Sequence, residues 1–324
     1  MKELFRLEKK PIKGLLWLEW AVLAYALATT VFILFTYTRL HQPNQMLWGR
    51  AQVLLMTLAL WGAYRLLPCR LMILARVAGQ LFFLGWWYPD TFELNRIFPN
   101  LDHLFATWEQ NLFGFQPALT FCQDWSSAIV SELLSLGYVS YYPMIAVVVL
   151  FYFCCHYEQF LRTAFIIVAS FFCFYAIFIC LPVAGPQFYY QAVGTDQIAQ
   201  GVFPQLGDYF DRLAFDVLNR DLSLPIPGWK QGFFYKLLIE AHDAGERPTA
   251  AFPSSHVGVA TVLMWLAWEA RSLKLFFSLL PLAVLMFFAT FYIQAHYAID
   301  AIAGVLAGTL LYFALRGIYR GDTT

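Results

Sequence analysis

Charged residues are scarce: Asp, Glu, Lys and Arg make up 13% of the 324 residues, and 21 basic against 21 acidic side chains leave a formal net charge of zero. With no global field, nothing argues for a nucleic acid or an acidic macromolecule as partner. The six cysteines, Cys69, Cys122, Cys154, Cys155, Cys173 and Cys180, show no C-x-x-C and no regular spacing. That excludes a disulfide framework or a thiolate zinc site of the usual pattern. Cys154-Cys155-His156 imitates a metal motif, but it falls at the cytoplasmic end of the helices, opposite His256 and His296. There is no internal repeat and no soluble domain. No small-residue cleavage site follows the basic start MKELFRLEKKPIKG, so this segment reads as an uncleaved signal anchor that begins in the cytoplasm.

What the chain has is apolar: 60% of it is hydrophobic and 19% aromatic, in long blocks that do not alternate with polar residues. An all-α fold is predicted, a polytopic transmembrane helical bundle. Eight stretches are long and apolar enough to cross a bilayer, or nearly so, at roughly 15–37, 50–67, 71–89, 128–154, 160–182, 254–271, 275–294 and 297–318. The second and third are short and hold Arg65, Arg70 and Arg76 in or between them, so six spans with a re-entrant or interfacial hairpin is the alternative. With eight spans, the turns near Arg70, Arg162, Arg271/Lys274 and Arg316/Arg320 lie in the cytoplasm, and segments 90–127 and 183–253 lie outside. Rich in Pro, Gly, Asp and aromatics, 183–253 is expected to be a folded cap, and 98–122 an amphipathic element in the headgroup region. Glu19 and Arg76 are expected to pair across the bundle or snorkel. Tyr138, Tyr141 and Tyr142 either pack beside a proline kink or line a headgroup pocket, and Gly304 with Gly308 permits close helix packing.

Two motifs carry chemistry. In AFPSSHVGVA, residues 251–260, Pro253-Ser254-Ser255 reads as the start of a helix at the outer face. Its unpaired N–H groups and positive dipole end suit an anion, and the hydroxyls of Ser254 and Ser255 add donors for a phosphate. In FYIQAHYAIDAIAGVLAG, residues 291–308, His296 and Asp300 share one face at the start of the last helix, so the carboxylate can hold one ring nitrogen while the other faces outward. The forty residues from His256 to His296 suffice for a helix across, a turn and a helix back, which returns both imidazoles to the same face. One attacks phosphorus while the other protonates the leaving oxygen, and no metal or cofactor is needed.

P-S-S-H followed by H-Y-A-I-D-A-I-A-G resembles the second and third signature motifs of the type 2 phosphatidic acid phosphatase superfamily. The resemblance implies a six-helix core over roughly residues 71–318. The chain would then divide into amino-terminal membrane helices, 1–70, and a catalytic membrane domain, 71–324, with 183–253 as its outer loop. A-F-P-S-x-H-x-G-x-A and T-x-Y-x-x-x-H-Y-x-x-D-x-x-x-G look like the fungal inositol phosphorylceramide synthases and their bacterial relatives. By that similarity His296 is the nucleophile, Asp300 its partner, His256 the general acid and later base, and Ser254 a phosphate ligand.

The chain also departs from the phosphatase pattern. Thr290 stands where an arginine precedes the nucleophilic histidine, and K-x6-R-P is missing at its usual spacing, with Glu240 at the position separated by six residues from Arg247-Pro248. LPVAGPQFYY, 181–190, is comparable to the Pro- and aromatic-rich segment of the inositol phosphorylceramide synthases, and its Gln187 can hydrogen-bond a phosphate without neutralising it. Positive charge must then come from Arg247, Lys236, Lys230 or the helix dipole. The expected function is transfer of a phospho-headgroup, such as phosphoinositol, from a membrane phospholipid to a lipid alcohol such as ceramide on the non-cytoplasmic face. Hydrolysis of a lipid phosphate (phosphatidate, isoprenyl pyrophosphate or sphingoid phosphate) is the alternative, and a non-enzymatic carrier with proton-gating histidines is the third reading.

Overall fold

The computed structural model describes residues 4–211 and 222–321. Among these, α-helices run α1 (Trp17–Thr36), α2 (Pro43–Leu66), α3 (Arg70–Asn95), α4 (Asp102–Phe113), α5 (Pro117–Asp124), α6 (Ala128–Val139), α7 (Tyr141–Cys155), α8 (Tyr157–Cys180), α9 (Pro186–Val193), α10 (Thr195–Ala199), α11 (Phe233–Gly245), α12 (Ser255–Glu269), α13 (Leu273–Tyr292) and α14 (Ala298–Ile318). The one β-type pairing among the described residues is a bridge between Leu7 and Cys69. All eight apolar stretches are helical. α1, α3, α8, α13 and α14 are each long and apolar enough to cross a membrane, and α6 with α7 makes a sixth span if the pair, bent by 48°, is taken as one. The remaining two fall short for different reasons: α2 carries Arg50 and Arg65, and α12, at 15 residues, reaches only about 22 Å. The chain is an integral membrane protein built as an all-α polytopic bundle.

The bend has a local cause. Pro143 has no N–H to return to the carbonyl of Val139, so the helix breaks there, and the Ser140 hydroxyl bonds back to the Gly137 oxygen at 2.7 Å. α2 and α3 run past their apolar stretches because their polar ends satisfy each other. Arg50 holds Asp90 in a two-pronged ion pair at 2.9 and 2.6 Å, well inside the protein. Arg76 and Glu19 do the same at 2.8 and 2.5 Å, with neither side chain reaching solvent, so they pair rather than snorkel.

The bundle has two chemically distinct ends. At one, the turns expected in the cytoplasm gather: Tyr64 and Tyr157 both donate to Glu8, the Arg70 guanidinium lies 4.2 Å from the Tyr157 ring centre, and Arg162 and Arg316 meet Glu269 at 2.9 and 3.0 Å. At the other lie α4, α5, α9 to α11 and the starts of α12 and α14. Residues 183–211 and 222–253 pack there as a cap, with Val183, Phe188, Tyr189 and Tyr190 buried; the rest of the expected cap, 212–221, lies outside the described residues, as do residues 1–3 of the basic amino-terminal stretch.

α4 is amphipathic with its faces reversed. Leu104, Trp108 and Leu112 point outward, whereas Asp102, Phe105, Ala106 and Glu109 are buried. An apolar outer face is what lipid would select, and it turns two carboxylates inward.

α12 packs most extensively against α14, and glycine makes this possible. A Cβ at Gly304 would come within 2.6 Å of the Ser254 main-chain oxygen, and one at Gly308 would overlap the Gly258 backbone. Gly308→Val is therefore expected to cost roughly 1–3 kcal/mol or more through overpacking. Gly85→Ala in α3, where the new methyl meets nothing within 4 Å, should be neutral or raise stability by up to ~1 kcal/mol. Thermal unfolding in detergent checks the pair; equal midpoints for Gly308→Val and the parent chain would contradict the packing argument.

Candidate functional site

The α12–α14 seam sets the position of both histidines. Ser254 caps α12, its hydroxyl oxygen accepting from the Val257 N–H at 3.5 Å, and its own N–H donates to the Asp300 main-chain oxygen at 3.0 Å. Because Ser254 takes the cap, Pro253 lies outside the helix and not in its first turn. His256, one residue into α12, and His296, just before α14, face each other with ring centres 5.9 Å apart. The convergence argued from their spacing is what the fold delivers.

His296 is held differently from the expected arrangement. Its Nδ1 lies 2.7 Å from the carbonyl oxygen of Ala251, while the nearer Asp300 carboxylate oxygen is 3.7 Å away. Asp300 is the third residue of α14, and its Oδ2 accepts from the Tyr297 N–H at 2.8 Å, so helix capping competes for the oxygen that was to hold the ring. Asp300 remains behind His296 as a buried acid. The Ala251 carbonyl fixes Nδ1 as the protonated nitrogen and leaves Nε2 with the lone pair. Ala250 and Gln294, non-glycine residues at φ 67° and 65°, shape the two loops that bring Ala251 and His296 together. Left-handed geometry at such residues costs about 1–2 kcal/mol each, so the surrounding structure has to impose it.

His256 lies against two tyrosines. Tyr138, from the end of α6, stacks on it at 4.5 Å, and Tyr141, from the start of α7, approaches at 4.4 Å. The break between α6 and α7 thus places these two rings at the histidine. His256 Nδ1 is buried with no hydrogen-bond partner. An orphaned imidazole nitrogen in a site is a seat for a ligand atom.

Glu246, not singled out in the sequence, faces His296. It accepts from the Tyr88 hydroxyl at 3.1 Å and the Gln187 amide at 3.4 Å, and His242 Nε2 lies 3.2 Å from the Gln187 amide oxygen. Desolvation raises its carboxyl above the usual range, opposed by His296, Tyr88 and Arg247. Gln187 and Arg247 are therefore one layer out from the imidazoles, engaged with Glu246; the Arg247 guanidinium donates to the Glu246 main-chain oxygen at 3.2 Å. Ser255 opens α12 beside His256 and is partly exposed, whereas Lys230 and Lys236 are exposed on the cap. Thr290 is buried and turns its hydroxyl to the Phe287 oxygen, so no cation stands at that position. Among the described residues, no three His, Cys, Asp or Glu side chains form a group able to hold a metal ion.

Burial drives the His296 imidazole down to about 4 from its ordinary 6.5, against the upward pull of the Ala251 hydrogen bond and of Glu246. A histidine held neutral by the fold is protonated more readily when unfolded. Its contribution to stability is complete above about pH 6.5 and is lost as the pH falls toward 4. His296→Gln should flatten this part of the acid sensitivity, measured as the unfolding midpoint at pH 7 and pH 5. An identical fall in the variant would mean that other groups carry it.

Comparison with known families gives a match over residues 104–314 to the model of the PAP2 superfamily, a region that contains both histidines, Asp300 and the cap. Comparison with curated proteins and with solved structures gives no match. PAP2 members are phosphatases or phosphotransferases, and a pair of facing histidines at a helix start is an arrangement suited to either. The matched region covers well over half of the chain, which therefore belongs to the PAP2 superfamily and is an enzyme of that class.

Proposed function

We propose that the protein transfers a phospho-headgroup from a membrane phospholipid to a lipid alcohol through a covalent intermediate on His296. The observation that carries this reading is the pair of imidazoles from separate helices, 5.9 Å apart, one with its Nδ1 tied to Ala251 and the other with a nitrogen lacking any partner. Phosphorus bound between them lies within reach of both.

In the first half-reaction the Nε2 lone pair of His296 attacks phosphorus. The bond from phosphorus to the departing lipid oxygen breaks as His256 gives that oxygen a proton. Developing positive charge on His296 is met by the Ala251 carbonyl and by Asp300 behind it. In the second half-reaction the acceptor hydroxyl loses its proton to His256 and attacks phosphorus, and the N–P bond breaks. The α12 start, with Ser254 and Ser255, serves as the anion cradle, and Arg247 and Gln187 supply a cation and an amide donor from the next layer.

Three features favour a monoanionic phosphodiester donor over a dianionic phosphate. Thr290 replaces the arginine of the phosphatase pattern, Glu246 sets an acid opposite His296, and the Arg247 charge is partly engaged by that acid. Motif similarity to the inositol phosphorylceramide synthases makes phosphoinositol the headgroup and ceramide the acceptor to test first. A groove of about 410 Å³ lined by Leu81, Tyr142, Ile145 and Val149 suits a lipid chain, and the ring of Tyr142 in its wall lies 5.2 Å from that of Tyr141. The site then faces the periplasm or a secretory lumen, at the end of the bundle away from the basic turns.

The test is purified protein with a labelled phospholipid donor, with and without ceramide. Label should move to a new lipid when ceramide is present. Donor turnover that ignores ceramide and releases the label as the water-soluble phospho-headgroup, or as free phosphate from a phosphomonoester donor, would instead make the enzyme a hydrolase. His296→Ala should lower kcat by at least ~10³-fold, and chelators should leave the rate unchanged; loss on chelation that a divalent ion restores would contradict the metal-free route. His256→Ala should slow donors with good leaving groups least, and equal slowing of all donors would remove its acid role.

A further inference from the structure

Next to His296, the first turn of α14 is held by two carboxylates from different parts of the chain. Asp300 Oδ2 accepts from the N–H of Tyr297 at 2.8 Å. Glu109, reaching in from α4, accepts through one oxygen from the next two N–H groups, Ala298 at 2.5 Å and Ile299 at 3.4 Å. Three consecutive N–H groups thus bring the two acids side by side, and neither side chain reaches solvent. Each acid also keeps a second oxygen, Glu109 Oε2 and Asp300 Oδ1, buried with no donor to accept from.

Two adjacent buried carboxylates cannot both ionise cheaply, and an orphaned oxygen on each is what a shared proton would satisfy. Among the described residues, the remaining groups around Glu109 supply no cation. Asp102 on α4 is another acid, itself taken up by the N–H groups of Ala184 and Gly185 and by the Asn100 amide. The Tyr297 hydroxyl donates to Asp102 at 3.0 Å, and the Tyr190 hydroxyl, from α9, donates to Gln116 at 2.8 Å, so neither phenol is spent on the pair.

We propose that Glu109 and Asp300 share a single proton at the start of α14, which makes Glu109 a positioning residue that keeps one negative charge, and not two, behind His296. The single charge is what the mechanism needs: enough to stabilise the cationic imidazole of the intermediate, too little to repel the arriving phosphate. Glu109 acts through Asp300 and the α14 turn and touches neither substrate nor the reacting atoms. Burial first, and the Asp300 charge second, raise the Glu109 carboxyl to about 8, so the proton is lost as the pH rises through that value. A second negative charge then enters the space behind the nucleophile. This inference concerns the protonation of the site and rests on the proposed role of His296 only for its effect on rate.

Glu109→Gln is the informative variant, since it keeps an acceptor for the Ala298 N–H, offers its NH₂ to Asp300 and cannot ionise. Two readouts separate the inference from the assignment of function. In infrared difference spectra of the full-length protein at pH 7, a protonated carboxylic acid band should be present that titrates away near pH 8 and is missing in Glu109→Gln. In the rate profile, kcat of the parent should fall above about pH 8, and Glu109→Gln should keep its neutral-pH rate and hold it through that range. Glu109→Ala, which strips the acceptor from α14, should lower kcat by roughly tenfold or more at pH 7 with KM little changed. An infrared spectrum in which Glu109→Gln removes no acid band overturns the shared proton whatever reaction the enzyme catalyses. An alkaline limb in Glu109→Gln that coincides with the parent's overturns its influence on His296.

Discussion

One main-chain hydrogen bond joins the starts of two helices: the N–H of Ser254 to the carbonyl oxygen of Asp300, at 3.0 Å. It forms only because Gly304 and Gly308 let α14 approach α12 until backbone meets backbone. Everything at the candidate site hangs from this seam. It sets the helix start that offers N–H groups and the Ser254 cap, and it fixes His256 on one side and His296 on the other. Without it the two imidazoles would belong to different surfaces.

Around the seam the bundle separates tasks by end. Arginine, glutamate and tyrosine tie the turns together at one end, while the other, beside the pairs of Arg96 with Glu93 and Asp211, carries buried acids, aromatic faces and loops in constrained backbone geometry. Apolar side chains on the outside of α4 face where lipid would lie, and its carboxylates face the protein. A peripheral helix thereby becomes part of the support behind His296. The tyrosines at the α6–α7 break perform the corresponding task for His256, limiting the tilt of its ring by stacking.

Much of this was legible in the sequence because it rests on local spacing. Forty residues between His256 and His296 imply a helical hairpin, the glycines at 304 and 308 imply close packing, and Glu19 with Arg76 are each too costly to leave alone inside a membrane. What escaped depends on long-range folding or on backbone atoms. Glu246 acquires meaning only when the cap folds back on Tyr88 and His296, and the Ala251 carbonyl has no side-chain signature at all. The i, i+4 spacing of His296 and Asp300 put both on one face, yet could not show that the third position of a helix draws a carboxylate toward the cap N–H. Glu109 was hidden by the reading of 98–122 as a surface element, which assumes that polar residues face outward. The lengths of α2 and α3 escaped for a similar reason, since apolar runs cannot register that Arg50 and Asp90 neutralise each other.

The central claim is that His296 forms a covalent bond to phosphorus, and trapping that bond tests it most directly. Protein mixed with a phosphorus-labelled phospholipid donor in the absence of acceptor, quenched within one turnover in alkali and digested, should yield a labelled peptide containing residue 296. The label should be stable to base, labile to acid, discharged when a lipid alcohol is added before the quench, and lost in His296→Gln. Label on His256 or on any other residue, or turnover with no protein-bound phosphorus at any time, would contradict the account.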